Sequence, residues 1–238
     1  MPGVFSGPAA GFGQGRCLDG AAPCTALPGL ADEASGEDRD FRDVTDDQLL
    51  GLPGARARLE ARQAREQLMV VAEFIRRRPE PGCPLGGPGR LPQVRDEPAA
   101  GELRAQLHLS PAEAGQVLGL AYDLAARLPL TSAALRDGVI DAGRARLTGL
   151  RCAALTVAEA GAAEAIVFGC PDAGRWTYGM FRDRVARAVI EVNPGPLSGG
   201  GRKLPGSGGW RCGRRIRGTR CWRGGSCRRR RCWRRASC

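Results

Sequence analysis

The chain of 238 residues contains a single histidine (His108), a single lysine (Lys203) and a single asparagine (Asn193). His108 has no second imidazole to join it in a metal centre. No G-x-S-x-G turn, phosphate-binding glycine loop, nucleophile–base pair or carboxylate dyad is present to carry an enzyme reaction. His108 falls near Ser110 at a helix end and reads as a partly exposed end residue, not as a base. No catalytic, cofactor-binding or metal-ligating residue is assigned, and no cofactor is expected. Lys and Asn need A-rich codons, so with only one Lys among 36 basic residues the gene belongs to a very GC-rich genome.

Long apolar runs are also missing. Nothing approaches the roughly 20 apolar residues of a membrane span, and the Gly/Ala/Pro-rich start lacks a basic stretch followed by an apolar one. A cytoplasmic protein with reduced thiols is expected. Cys17, Cys24, Cys83, Cys152 and Cys170 lie far apart without a C-x-x-C pair, and read as isolated small hydrophobes.

Acid is absent from one end. Residues 196–238 carry 13 Arg and Lys203 with no Asp or Glu, a charge of +14. Since the whole chain holds 36 basic and 25 acidic residues, residues 1–195 are left at −3. The same segment has five of the ten Cys and three of the four Trp.

What remains is helical in pattern. Residues 1–44 combine Gly, Pro, Ala and acids without periodicity and are expected to be a disordered head. Thr45 with Gln48 opens a helix, and Pro53-Gly54 interrupts or kinks it. Ala57, Ala61, Ala64, Leu68, Val71 and Ile75 then form an apolar seam up to Arg78, available to the chain's own domain or to a homodimer through the 57–75 helix. Pro79–Pro98 is a linker, followed by a short helix over Ala99–Leu107. Ser110-Pro111-Ala112-Glu113 starts a helix burying Val117, Ala121, Leu124 and Leu128. Thr131 is expected to cap a short helix ending at Gly138. Asp141 caps Ala142–Ala153, Thr156 caps Val157–Phe168, and Thr177 caps a last helix to Val192 with Phe181, Val185, Val189 and Val192 on one face. Asp46/Asp47 and Asp137/Asp141 are explained as capping residues. No alternating strand appears, so the fold class is all-α: a multi-helix domain over 45–194, a disordered head and an unstructured tail over 195–238.

The run Ala100–Leu155, with LHLSPAEA and LAARLPLTSAALRDG continuing into I-D-x-x-x-A-R, resembles the actinobacterial domain of unknown function 222, the thirteen-E-twelve repeat family. TYGMFRDRVARAVIEVNP (Thr177–Pro194) and the lead-in Thr45–Pro79 extend the likeness. The resemblance implies a helical domain without established chemistry, usually upstream of an HNH endonuclease module. Such a module needs a His base and further His or Asp/Asn groups around a divalent metal. With His108 alone in the chain, that activity does not carry over.

The tail composition of Arg, Cys, Trp, Gly and Ser is what GC-rich coding DNA yields out of frame. With GC-rich codon choices, residues 196–213 read one frame over give a charged helical pattern running into V-E-V-W. Residues from Arg214 onward give G-R-E-L-P-P and an Ala/Leu helix. The chain is thus expected to be a truncated, frameshifted member of its family. The alternative is a nucleic-acid-binding protein whose tail neutralises phosphates and stacks Trp210, Trp222 and Trp233 on bases. Within the body, Leu135–Arg146 (LRDGVIDAGRAR) resembles the G-x-I-S-x-x-H-A-R turn of partition-protein DNA-binding domains. Gly138, Ile140, Ala145 and Arg146 fit, whereas Asp141 stands in place of Ser and Arg144 in place of His. On that reading DNA is the partner, and Arg136, Arg144, Arg146 and Arg151 are phosphate contacts. Solvated arginines on amphipathic helices account for the same residues, and the net −3 of the body favours that simpler account.

Overall fold

Helix starts are set by side chains that supply acceptors to N–H groups the helix itself leaves unpaired. In the computed structural model, which describes residues 7–36, 38–41, 44–79, 91, 97–195, 211–212 and 222–223, these caps sit where the sequence places most of them. Thr45 accepts from the Gln48 N–H while the Gln48 side chain accepts from the Thr45 N–H. Ser110 with Glu113 and Thr156 with Glu159 repeat this reciprocal box. Asp141 and Thr177 accept from the N–H groups of Arg144 and Met180.

The elements are α1 (Leu27–Ser35), α2 (Asp46–Arg77), α3 (Glu97–Leu107), α4 (Pro111–Ala126), α5 (Pro129–Arg136), α6 (Ala142–Cys152), α7 (Val157–Phe168) and α8 (Tyr178–Val192). Short 3-10 turns lie at Pro8–Phe12 and Ala173–Arg175. These belong to one unit, residues 1–196, and the fold is all-α. In the second unit, β1 (Arg211–Cys212) pairs antiparallel with β2 (Trp222–Arg223), a small regular element where an unstructured tail is expected. The rest of that tail and most of the Pro79–Pro98 linker, Cys83 included, lie outside the described residues.

The main core is assembled from one stripe of α2 (Leu68, Val71, Ala72, Ile75), one of α4 (Leu118, Ala121, Leu124), Leu135 and Ile140, and facing stripes of α7 and α8 (Ala160, Val167, Phe181, Val185, Val189). Fully burying an aliphatic or aromatic side chain contributes about 1.5–3 kcal/mol, so Ile75, Leu135, Ile140 and Phe181 are among the largest single contributors. The α2 seam is therefore used inside its own domain, against α4 and α5. Ala57 is exposed and Ala64 half-buried, outside the seam. Two copies pairing through 57–75 would first have to empty this core. Val117 likewise sits at the core margin, with Leu118 in the place expected for it.

Pro53 neither interrupts nor ends α2, which runs unbroken for 32 residues. The first half of the helix is held from outside by the head, and here the expected disorder of 1–44 is corrected for the described residues. Phe12, Leu27, Ala31 and Ala34 pack on Leu52 and Ala55 in a second apolar cluster, separate from the main core. The Pro8–Phe12 turn crosses α2 so closely that a Cβ on Gly51 would lie 1.7 Å from the Phe12 carbonyl oxygen. Arg56, Arg58 and Arg62 donate to the carbonyls of Ala31, Leu18 and Pro23 at 3.4, 2.8 and 2.5 Å. The Gln14 N–H donates to Asp47 at 2.9 Å. The head bears too few apolar residues to show a period, yet enough to bury one short helix and one turn against a ready-made surface.

The α5 start differs from expectation in its chemistry. Thr131 is not the cap: the helix begins at Pro129, and Thr131 is completely buried in its first turn. The carboxylate of Glu164, 1% exposed on α7, accepts instead from the N–H groups of Thr131 and Leu130 at 2.6 and 3.3 Å. A negative group at a helix N-terminus meets both the unpaired donors and the positive end of the macrodipole. Burial nevertheless wins and pushes the Glu164 carboxyl above its ordinary range, partly offset by the bonds from Thr131 and Leu130.

Removing this carboxyl leaves two buried N–H groups unpaired and a small void, so Glu164→Ala is expected to destabilise by about 3 kcal/mol in urea unfolding. A raised folded-state pKa gives stability that is complete below the unfolded glutamate value and is lost as pH rises through the folded value. As pH rises from the ordinary glutamate range through the raised value in the folded chain, the native protein should therefore lose stability relative to Glu164→Gln, which has no proton to lose. A difference independent of pH would contradict this.

Candidate functional site

The turn joining α5 to α6 is built from its own sequence. Gly138 adopts φ +71°, and a Cβ there would lie 2.7 Å from the Arg58 Cβ, so the position demands glycine on conformation and on space. Ile140 is buried in the core, Asp141 caps α6, and Ala145 is buried on its inner face. The residues that carry the likeness to a DNA-binding turn thus have evident structural uses, Arg146 excepted.

The four arginines proposed for phosphate contact are not brought together on one surface. Arg144 is largely buried. It bonds Asp141 Oδ2 at 2.5 Å and the Trp176 carbonyl at 2.8 Å, and its guanidinium lies 6.0 Å from the centre of the Phe181 ring. Arg136 is exposed but paired with Asp137 at 2.7 Å, and its hydrogen bond holds the Asp137 carboxyl below its ordinary range. Arg146 and Arg151 are exposed on α6 with no ion pair among the described residues. Five positions apart, they point about 140° away from each other around the helix.

Arg146 stands instead on a groove of about 330 Å³ between α4 and α6. Gln116, Gly119, Leu120 and Asp123 line one wall; Arg146, Gly149, Leu150 and Ala153 line the other. Each set follows the i, i+3, i+4, i+7 spacing of a single helix face. Gly119 and Gly149 keep the floor open, and Leu150 stands 75% exposed at the edge. The Asp123 carboxylate is already paired with Arg127 at 2.7 Å in a half-buried bridge. The other arm of Arg127 donates to the carbonyls of Cys152 and Leu155 at 2.8 and 2.7 Å, closing the C-terminal end of α6 with the charge sign its dipole favours. Among the described residues Arg146 is thus a charge without an ion pair in a mainly apolar trough.

Reactive groups nearby are few. Burial pushes the Cys152 thiol up to about 11, so no thiolate is available as a nucleophile. His108 is exposed at φ +53° in the turn between α3 and α4. Asp46 and Asp47 lie in the first turn of α2, with Asp47 tied to the head; Asp137 sits at the C-terminal end of α5, not at a helix start. Among the described residues, no group of three His, Cys, Asp or Glu side chains comes together as a metal site. Glu164, Arg127 and the three head-binding arginines are functionally placed residues that pattern reading passes over. Only Glu164 gives a signal, as the sole charge in the apolar run from Ala160 to Phe168.

Among the described residues no helix is long and apolar enough to cross a membrane. No curated protein and no solved structure matches the chain. The family model described as Domain of unknown function (DUF222) matches residues 55–205, against the 45–194 expected from the helical pattern. With α2 to α8 inside or overlapping that span, and more than half of the sequence matched, the chain belongs to the DUF222 family.

Proposed function

We propose that the helical domain is a non-catalytic module of an HNH-endonuclease-associated cytoplasmic protein, and that the Arg-rich sequence following it is translated out of frame. The observation that carries this reading is the break in composition. Residues 1–195 have a net charge of −3 and residues 196–238 one of +14 without a single acid. Lys is scarce throughout the chain, but acids are frequent before residue 196 and absent after it, and GC-rich DNA read one frame over yields such acid-free text rich in Arg, Cys, Trp, Gly and Ser. The family match runs to 205 and so takes in the start of the acid-free segment, while the Arg-rich stretch from Arg211 on lies beyond it. The free thiols of Cys17, Cys24, Cys152 and Cys170 fit a reducing compartment.

Resequencing the gene from the Asn193 codon onward tests this. The neighbouring frame is expected to stay open and to enter a segment with several histidines; an early stop in that frame would make the Arg/Trp tail the true product.

A second reading, DNA as partner of the body, rests on Arg146 and Arg151, which are exposed and free of ion pairs among the described residues. Arg144 is withdrawn from it by its bonds to Asp141 and Trp176. Arg136 is engaged by Asp137; if Arg146 and Arg151 sit on phosphates, Arg146→Ala with Arg151→Ala should flatten the dependence of log affinity on log salt by about 2. An unchanged slope in the double variant assigns any binding to the tail.

A further inference from the structure

The clamp that fastens the head to α2 has no feature that requires both parts to come from one molecule. The 3-10 turn and α1 make their main contacts with each other and with α2. Their apolar cluster is distinct from the main core. The arginines of α2 reach mostly for backbone carbonyls of the head, acceptors that any copy presents identically. Between the head and α2, Arg39 and Phe41 hold φ of +55° and +53°, a region costing roughly 1–2 kcal/mol per residue for side chains with a Cβ. Stretched out at about 3.3 Å per residue, residues 36–46 reach on the order of 30 Å, enough to span to a neighbouring molecule.

We propose that residues 7–35 are an exchangeable clasp, and that the occupant of the α2 face formed by Leu52, Ala55, Arg56, Arg58 and Arg62 is, in a reciprocal dimer, the head of a second copy. Opening releases the strain at Arg39 and Phe41 in both copies, while each head recovers on its partner the contacts it gave up. The buried interface is thereby the same in monomer and dimer, and concentration selects between them. This dimer does not use the 57–75 seam and leaves the main core intact.

The test is sedimentation velocity of the full chain under reducing conditions over a range of concentrations, with far-UV circular dichroism on every variant. The native chain should show a concentration-dependent dimer. Removing residues 38–41, which shortens the connection by four residues and disfavours folding back, should raise the dimer fraction. Arg39→Gly with Phe41→Gly relaxes the connection in the monomer and should weaken dimerisation by about tenfold or more. Gly51→Ala blocks the seat of Phe12 and should abolish the dimer while helicity persists; if helicity is lost, the two hinge variants decide. A monomer at every concentration in both the native and the shortened chain overturns the proposal. So does a dimer that survives Gly51→Ala with its helices intact, because such a dimer forms elsewhere.

Discussion

A helix of 32 residues is about 48 Å long at roughly 1.5 Å per residue, more than one small helical core can cover. That mismatch governs the rest of this fold. The second half of α2 carries Leu68, Val71, Ala72 and Ile75 into the main core, where α4 and α5 close over them. The first half carries Leu52 and Ala55, which would face water if α2 had only those neighbours. The head solves this, covering them with Phe12 and Leu27, and in doing so supports a helix with Pro53 inside it. Isolated helices in water are marginal, so packing on both halves, and not propensity alone, keeps α2 continuous.

Two polar contacts of opposite sign pin the small helices around that spine. Glu164 places a carboxylate against the N-terminal N–H groups of α5, and Arg127 places a guanidinium against the C-terminal carbonyls of α6. Both satisfy groups that a buried helix end would otherwise leave unpaired. They differ in cost. Arg127 brings its own counter-charge in Asp123, whereas Glu164 has only dipoles for company and is shifted toward its neutral form. Helix α5, the turn that follows it and the groove between α4 and α6 inherit their shape from these two pins, with Gly138 seated directly against Arg58 of α2.

Helix starts were legible because Thr45, Ser110, Thr156, Asp141 and Thr177 act locally, within one turn of their own helix. The helical family resemblance was legible for the same reason, since ordered caps and stripes repeat at recognisable spacings. What was hidden depends on distant residues. Thr131 reads as a cap in sequence and is displaced from that role by a carboxylate 33 positions away. Residues 7–35 read as disorder because their apolar side chains form no periodic run, and their partner surface exists only once α2 has formed. Arg144 reads as a free cation, yet Asp141 and Trp176 withdraw it into the domain. The groove between α4 and α6 arises from glycines at 119 and 149 on different helices, a juxtaposition that no single-helix pattern displays.

Native-state amide hydrogen exchange tests directly whether the head completes the first half of α2. α1 and residues 46–60 of α2 should be protected together as one cooperative unit, opening more readily than α4 to α8 but far less often than unfolded chain. Exchange of Leu27–Ser35 at the unfolded rate, with residues 46–60 as protected as the main core, would show that α2 stands without the head and would contradict the account.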